Sequence, residues 1–100
     1  MLSFYVTCGN SKEAEKIAAA LLKKRLIACA NIFPVKSRYL WKGKLKAAKE
    51  YAILGKSSGS KIGAIEKEIK KVHSYNVPVV VFWNDKSTNE AEKWLKDELR

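Results

Sequence analysis

An α+β sandwich, with two helices on one face of an antiparallel sheet, is the fold class this sequence predicts. Three observations predict it. Four apolar runs of strand length are separated by Gly, Pro, Asn and Ser punctuation. Two stretches between them carry apolar residues at helical spacing. The order along the chain is β-α-β-β-α-β, with one more helix at the end.

The first strand is Leu2 to Cys8, with Leu2, Phe4, Val6 and Cys8 on one face. Gly9-Asn10-Ser11 breaks it, and Asn10 with Glu13 has the spacing of a capping box. The helix that follows carries Ala14, Ile17, Ala18, Leu21 and Leu22 on one stripe and ends in Lys23-Lys24-Arg25, cations suited to a helix C-terminus. The second strand starts at Ile27 and resumes beyond Pro34, which marks an edge or a bulge because it cannot donate to a ladder. Trp41-Lys42-Gly43-Lys44 is the hairpin turn, and the return strand is Leu45 to Lys56. Its run Tyr51 to Gly55 is apolar on both faces and so belongs in the middle of the sheet. Ser57 to Ser60 is a loop. The second helix carries Ile62, Ile65, Ile69 and Val72. Residues 73–78 lead into a strand from Val79 to Trp83. Ser87 with Glu90 has the spacing of a second capping box, ahead of a short helix bearing Ala91, Trp94 and Leu95. This is the ferredoxin-like arrangement, with expected strand order 4-1-3-2.

The 100 residues fit one domain, residues 1–100. No apolar run reaches membrane-span length and the N-terminus does not read as a secretory signal, so the expectation is a soluble cytoplasmic protein without membrane partners. The net charge of +10 attracts polyanions, but 17 of the 20 bases are Lys, which reads first as a solvating surface. Cys8 leaves the first strand and Cys29 enters the second, parallel one, so the two thiols lie at opposite ends of the sheet, about 20 Å apart, too far for a disulfide. The opposite end from Cys29 is expected to gather Cys8, Trp41, His73, Tyr75 and Asn76. No nucleophile–base set, phosphate loop or paired-carboxylate signature is present, so catalytic residues are not assigned and an enzyme is not expected. The stretch Lys44 to Tyr51 lacks the Gly and paired aromatics of an RNA-recognition strand, which argues against nucleic acid as the partner.

The two hairpin strands, about 12 residues each, exceed the usual 5–6. They carry Lys36, Arg38, Lys42, Lys44, Lys46 and Lys49 before the first acid, Glu50, and they also display Tyr39, Leu40 and Trp41. Such an arm needs cover, and copies of the chain are the expected cover, with Tyr39 and Trp41 as interface anchors.

Three strings complete the reading: Arg25 to Ile32 with its Ala-Cys-Ala-Asn, then Tyr39 to Lys44 with Trp-x-Gly-Lys and Glu50 beyond it, and His73-Ser74-Tyr75-Asn76-Val77-Pro78. Together they resemble the CutA-type divalent-cation tolerance proteins over nearly the whole chain. The resemblance implies a cytoplasmic ferredoxin-like homotrimer linked to copper and other divalent metals, similar in architecture to PII-type signalling trimers. The sequence departs from the family pattern in two places: Ser74 stands where a proline is usual, and the hairpin is rich in Lys. As metal ligands, Cys29, His73 and Glu50 offer a thiolate, an imidazole and a carboxylate, a set that suits copper or zinc. Cys29 lies far from His73 in one chain, so that set needs two subunits; Cys8, His73 and Tyr75 converge within one. Glu50 is expected to pair with a Lys across the interface. Tyr39, Trp41, Lys44, Lys56, Tyr75 and Pro78 are the pocket or interface candidates. The function expected is a metal response by binding; the alternatives are a small-ligand signalling trimer and a nonspecific polyanion-binding module.

Overall fold

A computed structural model describes residues 1–99. The elements are β1 (Leu2–Cys8), α1 (Ser11–Lys23), β2 (Cys29–Trp41), β3 (Lys44–Ser57), a 3-10 turn (Gly59–Lys61), α2 (Ile62–Val72), β4 (Val80–Asn84) and α3 (Asn89–Glu98). The sheet runs β2-β3-β1-β4, the expected order read from the other edge, and every neighbouring pair is antiparallel.

Alternation sorts the sheet into two faces. Phe4 pairs with Gly55 and Phe82, and Val6 pairs with Ile53. These residues meet Ala14, Ile17 and Leu21 of α1 and Ile65 and Ile69 of α2 in one buried core. The helical stripes point where their spacing directs them, except that Leu22, read as part of the α1 stripe, stays exposed at its margin. Gly55 is where β3 lets the Phe4 ring through, since a Cβ there would fall inside that ring. The other face carries Tyr5, Leu54, Val81 and Trp83, and the last two stay largely exposed.

Several local expectations change. Asn10 does cap α1, accepting from Glu13 N at 2.8 Å, but the Glu13 side chain does not fold back on Asn10. It accepts from the backbone of Gly9 and Ser74 instead. The cap of α3 is Thr88 rather than Ser87, with its hydroxyl accepting from Ala91 N. β4 begins at Val80, one residue later than expected, and Trp94 stays exposed while Leu95 is buried. Pro34 sits on an edge strand within an unbroken register, so no bulge is needed. In the hairpin turn both Lys42 (φ 51°) and Gly43 (φ 75°) are left-handed, as a type I′ turn requires, so Lys42 carries strain that a second glycine would avoid.

Replacing Gly55 with Ala is expected to lower stability by about 2 kcal/mol, since the new methyl displaces the Phe4 ring from a close-packed core. Thermal unfolding should register this as a Tm lower by about 10 °C. An unchanged Tm would show that the sheet can bend away from the ring.

Candidate metal centre

β1 ends at Cys8 with its side chain on the core face, and α1 starts three residues later, so Glu13 in its first turn lies beside that thiol. α2 runs back to the same end of the sheet and stops at His73, whose backbone turns extended to lead toward β4. Three elements thereby bring Cys8, Glu13 and His73 together, with one ligand atom from each lying within 4.8 Å of the others.

Each group is held by hydrogen bonds. His73 Nε2 donates to the carbonyl of Thr7 at 2.8 Å, and its Nδ1 accepts from the N–H of Tyr75 at 3.1 Å. A carbonyl can only accept and an amide N–H can only donate, so the ring is the neutral tautomer protonated at Nε2. Glu13 Oε1 accepts from Gly9 N at 3.0 Å, and Oε2 from Ser74 N at 2.7 Å. The Tyr75 hydroxyl donates to Glu50 Oε2 at 2.7 Å, and its ring lies 4.7 Å from that of His73. A continuous polar chain thus links β1, α1, α2 and β3 at one end of the sheet.

The electrostatics follow from this wiring. Burial, reinforced by the charges of Glu13 and Glu50, pushes the Cys8 thiol up to about 12. Burial also acts to raise the carboxyls, but hydrogen bonds overcome it. Glu13 is held below its usual value by Ser74 and Gly9, and Glu50 by the hydroxyls of Ser37, Tyr75 and Thr7. The Tyr75 hydroxyl is raised by burial and by Glu50, which accepts its proton.

A thiol, a carboxylate and an imidazole form a mixed donor set acceptable to zinc or copper. A cation here would draw on Cys8 Sγ, a Glu13 oxygen and His73 Nδ1. It would have to displace the thiol proton and compete with the Ser74 and Tyr75 amides, while the Nε2–Thr7 bond would keep orienting the ring.

The expected ligands separate. His73 and Glu50 lie at this end, joined through Tyr75, and within the chain Glu50 is held by hydroxyls, that of Tyr75 at 2.7 Å. Cys29 pairs with Lys56 at the other end of the sheet, where burial raises its thiol. Both cysteines are free. Lys56 is already engaged, donating to Ser3 Oγ at 2.7 Å and to Asp85 at 3.3 Å, where it ties β1, β3 and the end of β4 together. Pro78 lies two residues before β4, where the β1–β4 register continues toward Cys8. Tyr39, Trp41 and Lys44 are on the exposed arm. Trp41 points the same way along the sheet as Cys8 but does not join it. Cys8 faces Tyr51, and the seven residues from there to Lys44 put the tip about 23 Å farther out. Glu13 was absent from the ligands read from sequence because it served as a capping residue. Its place in the first turn of α1, five residues beyond Cys8, was the available signal.

These features define a small ferredoxin-like α+β protein with a thiol–carboxylate–imidazole cluster at one end of its sheet. The profile of the CutA1 divalent ion tolerance protein family matches residues 2–98, and the chain belongs to that family. It is 45% identical over 76 residues to the divalent-cation tolerance protein CutA of Archaeoglobus fulgidus, covering 76% of this chain and 74% of that one. It is 34% identical over 100 residues to the Thermotoga maritima protein of the same name, covering 99% of each. Among solved structures, the A. fulgidus protein, described as a periplasmic divalent cation tolerance protein, matches with a TM-score of 0.95 at 37% identity over the whole of both chains. CutA1 from Pyrococcus horikoshii matches at 0.93 and 33%, covering 98% of this chain and 97% of that one.

Removing the Tyr75 hydroxyl in Tyr75→Phe leaves the buried Glu50 short of a donor and is expected to cost about 1–3 kcal/mol at neutral pH. Glu50 is lowered in the folded state, so its contribution is complete above the ordinary carboxyl range and fades as pH falls through the folded value. Denaturant titrations of parent and variant should therefore converge in acid. A gap that persists undiminished at the acid end of the titration, where the carboxyl is protonated in both states, would assign the loss to packing rather than to the carboxylate.

Proposed function

We propose that this protein serves divalent-cation tolerance by binding the cation, copper or zinc, at Cys8, Glu13 and His73, and that it works as a homotrimer in the cytoplasm without catalysing a reaction. The observation that carries this reading is the convergence of three different donor types within 4.8 Å at one end of the sheet. Relatives named for divalent-cation tolerance give the cluster its context. Two unpaired thiols suit a reducing compartment. Among the described residues, no helix is long and apolar enough to cross a membrane.

Support for the trimer comes from the arm. Leu45, Leu40 and Trp41 at its tip are 81%, 70% and 56% exposed, a display that a second and third copy would cover. β2 and β4 also leave open sheet edges on which neighbouring copies could add.

The raised thiol sets the pH dependence. A cation must release the Cys8 proton, so apparent affinity should climb about tenfold per pH unit across the neutral range. Equilibrium dialysis with Zn(II) and Cu(II) reads this directly. Uptake should be lost in Cys8→Ser and His73→Ala and kept in Cys29→Ala. Loss in Cys29→Ala with retention in Cys8→Ser would overturn the assignment. Light scattering should give three times the 11.3 kDa chain mass, and Leu40→Asp combined with Leu45→Asp should reduce it. A parent protein that stays at one chain mass would remove the trimer.

A further inference from the structure

The arm begins where β1 stops. Cys8, the last residue of β1, pairs with Tyr51, and from Glu50 to Lys44 β3 pairs with β2 alone. A two-stranded ribbon twists strongly and is only marginally stable by itself, so the bearing of the arm on the sheet is set at its root. Glu50 is the first residue of that root, opposite Val35 and only 8% exposed. Its carboxylate accepts from the hydroxyls of Ser37, Tyr75 and Thr7. Thr7 belongs to β1 and Ser37 to the arm, so Glu50 pins the arm to the body of the sheet. Tyr75 comes from the segment that follows α2. Its N–H donates to His73 Nδ1 at 3.1 Å, its ring lies 4.7 Å from the imidazole, and its hydroxyl donates to Glu50 at 2.7 Å. One residue thus touches the Cys8, Glu13 and His73 cluster with its backbone and the anchor of the arm with its side chain.

We infer that Tyr75 couples occupancy of the Cys8, Glu13 and His73 site to the arm through Glu50. This coupling rests on the metal reading above and names how that site is regulated. His73 Nδ1 offers a single lone pair, and the Tyr75 N–H takes it. With that lone pair given to a cation, the Tyr75 amide would lose its acceptor, and the Ser74 amide would lose Glu13 in the same event. The backbone that aims the Tyr75 ring would then be held by neither bond, and the hydroxyl would withdraw from Glu50. A buried carboxylate stripped of one donor holds the remaining network less firmly, so the root of the arm would loosen. Linkage makes the effect reciprocal: whatever keeps Tyr75 on Glu50 opposes the cation, and whatever removes it favours the cation. Neighbouring copies that fix the arm in its present bearing would therefore lower cation affinity without touching the cluster. Tyr75 and Glu50 meet within one chain, so the link needs no open surface on the arm.

Hydrogen–deuterium exchange of the intact protein with and without Zn(II), with bound zinc measured by dialysis on the same samples, tests this. Saturating Zn(II) should speed exchange of the protected amides in residues 35–37 and 48–50 by about threefold or more, while residues 29–31, at the far end of the same ladder, stay as they were. Tyr75→Phe should bind Zn(II) roughly fivefold more tightly than the parent, and zinc should no longer change exchange at the root of the arm. Gly55→Ala lowers stability without touching Glu50 or the cluster, and should leave zinc affinity within about twofold. Zinc that binds the parent and leaves the root of the arm unchanged overturns the coupling and leaves the metal reading standing. Absence of bound zinc overturns the metal reading and the coupling with it. Equal tightening in Tyr75→Phe and Gly55→Ala would assign the gain to lost stability and overturn the role given to Tyr75.

Discussion

All thirteen residues of β2 pair with β3 without a slip, and that unbroken ladder is the constraint from which the rest of the molecule follows. It brings Glu50 to the end of the sheet, where Tyr75 reaches it, and holds Cys29 at the far end beside Lys56. It carries the chain past the last helix contact and leaves Leu40, Trp41 and Leu45 in solvent. It sets Lys36 against Lys49. A one-residue slip would exchange the faces and undo each of these placements together. The tight turn at Lys42-Gly43 fixes the register at one end, and the close fit of Phe4 over Gly55 fixes it at the other.

His73 organises the end of the sheet where the chemistry is concentrated. Its two ring nitrogens face opposite demands, one donating to β1 and the other accepting from the segment that leads to β4. Glu13 braces the same segment through Ser74. The cluster is therefore structural at rest, with its lone pairs occupied and its thiol protonated. A cation would not enter a vacant cage; it would exchange with hydrogen bonds and a proton. Such a site would bind more weakly than a dedicated structural metal centre and would respond to pH, properties that suit tolerance better than permanent storage.

Much of this was legible in the sequence, for physical reasons. Helical stripes in α1 and α2 and the two-sided apolar run in β3 leave few packings open, and the strand order follows from them. Convergence of Cys8, His73 and Tyr75 followed from strand direction alone. Cap chemistry was less legible, because Ser87 and Thr88 both offer a hydroxyl at the right distance and only backbone geometry selects Thr88. Glu13 was hidden because one side chain can satisfy a helix end or a loop, and the local spacing favoured the helix end. Glu50 was paired with a Lys across a subunit interface because a buried carboxylate needs a partner; the partner it has within the chain, a tyrosine 25 residues away in sequence, leaves no local mark. The anchoring of the arm needed the register, which sets Glu50 opposite Val35 just beyond the last pair of β1.

The exchange of hydrogen bonds for metal at Cys8, Glu13 and His73 is the central claim, and amide NMR during a Zn(II) titration tests it most directly. The Ser74 and Tyr75 N–H groups occupy lone pairs that the cation would take, so their resonances should move first and furthest, and they should lose protection from solvent exchange as the site fills. Binding of zinc with both resonances unmoved, or with the largest changes around Cys29 and Lys56, would contradict it.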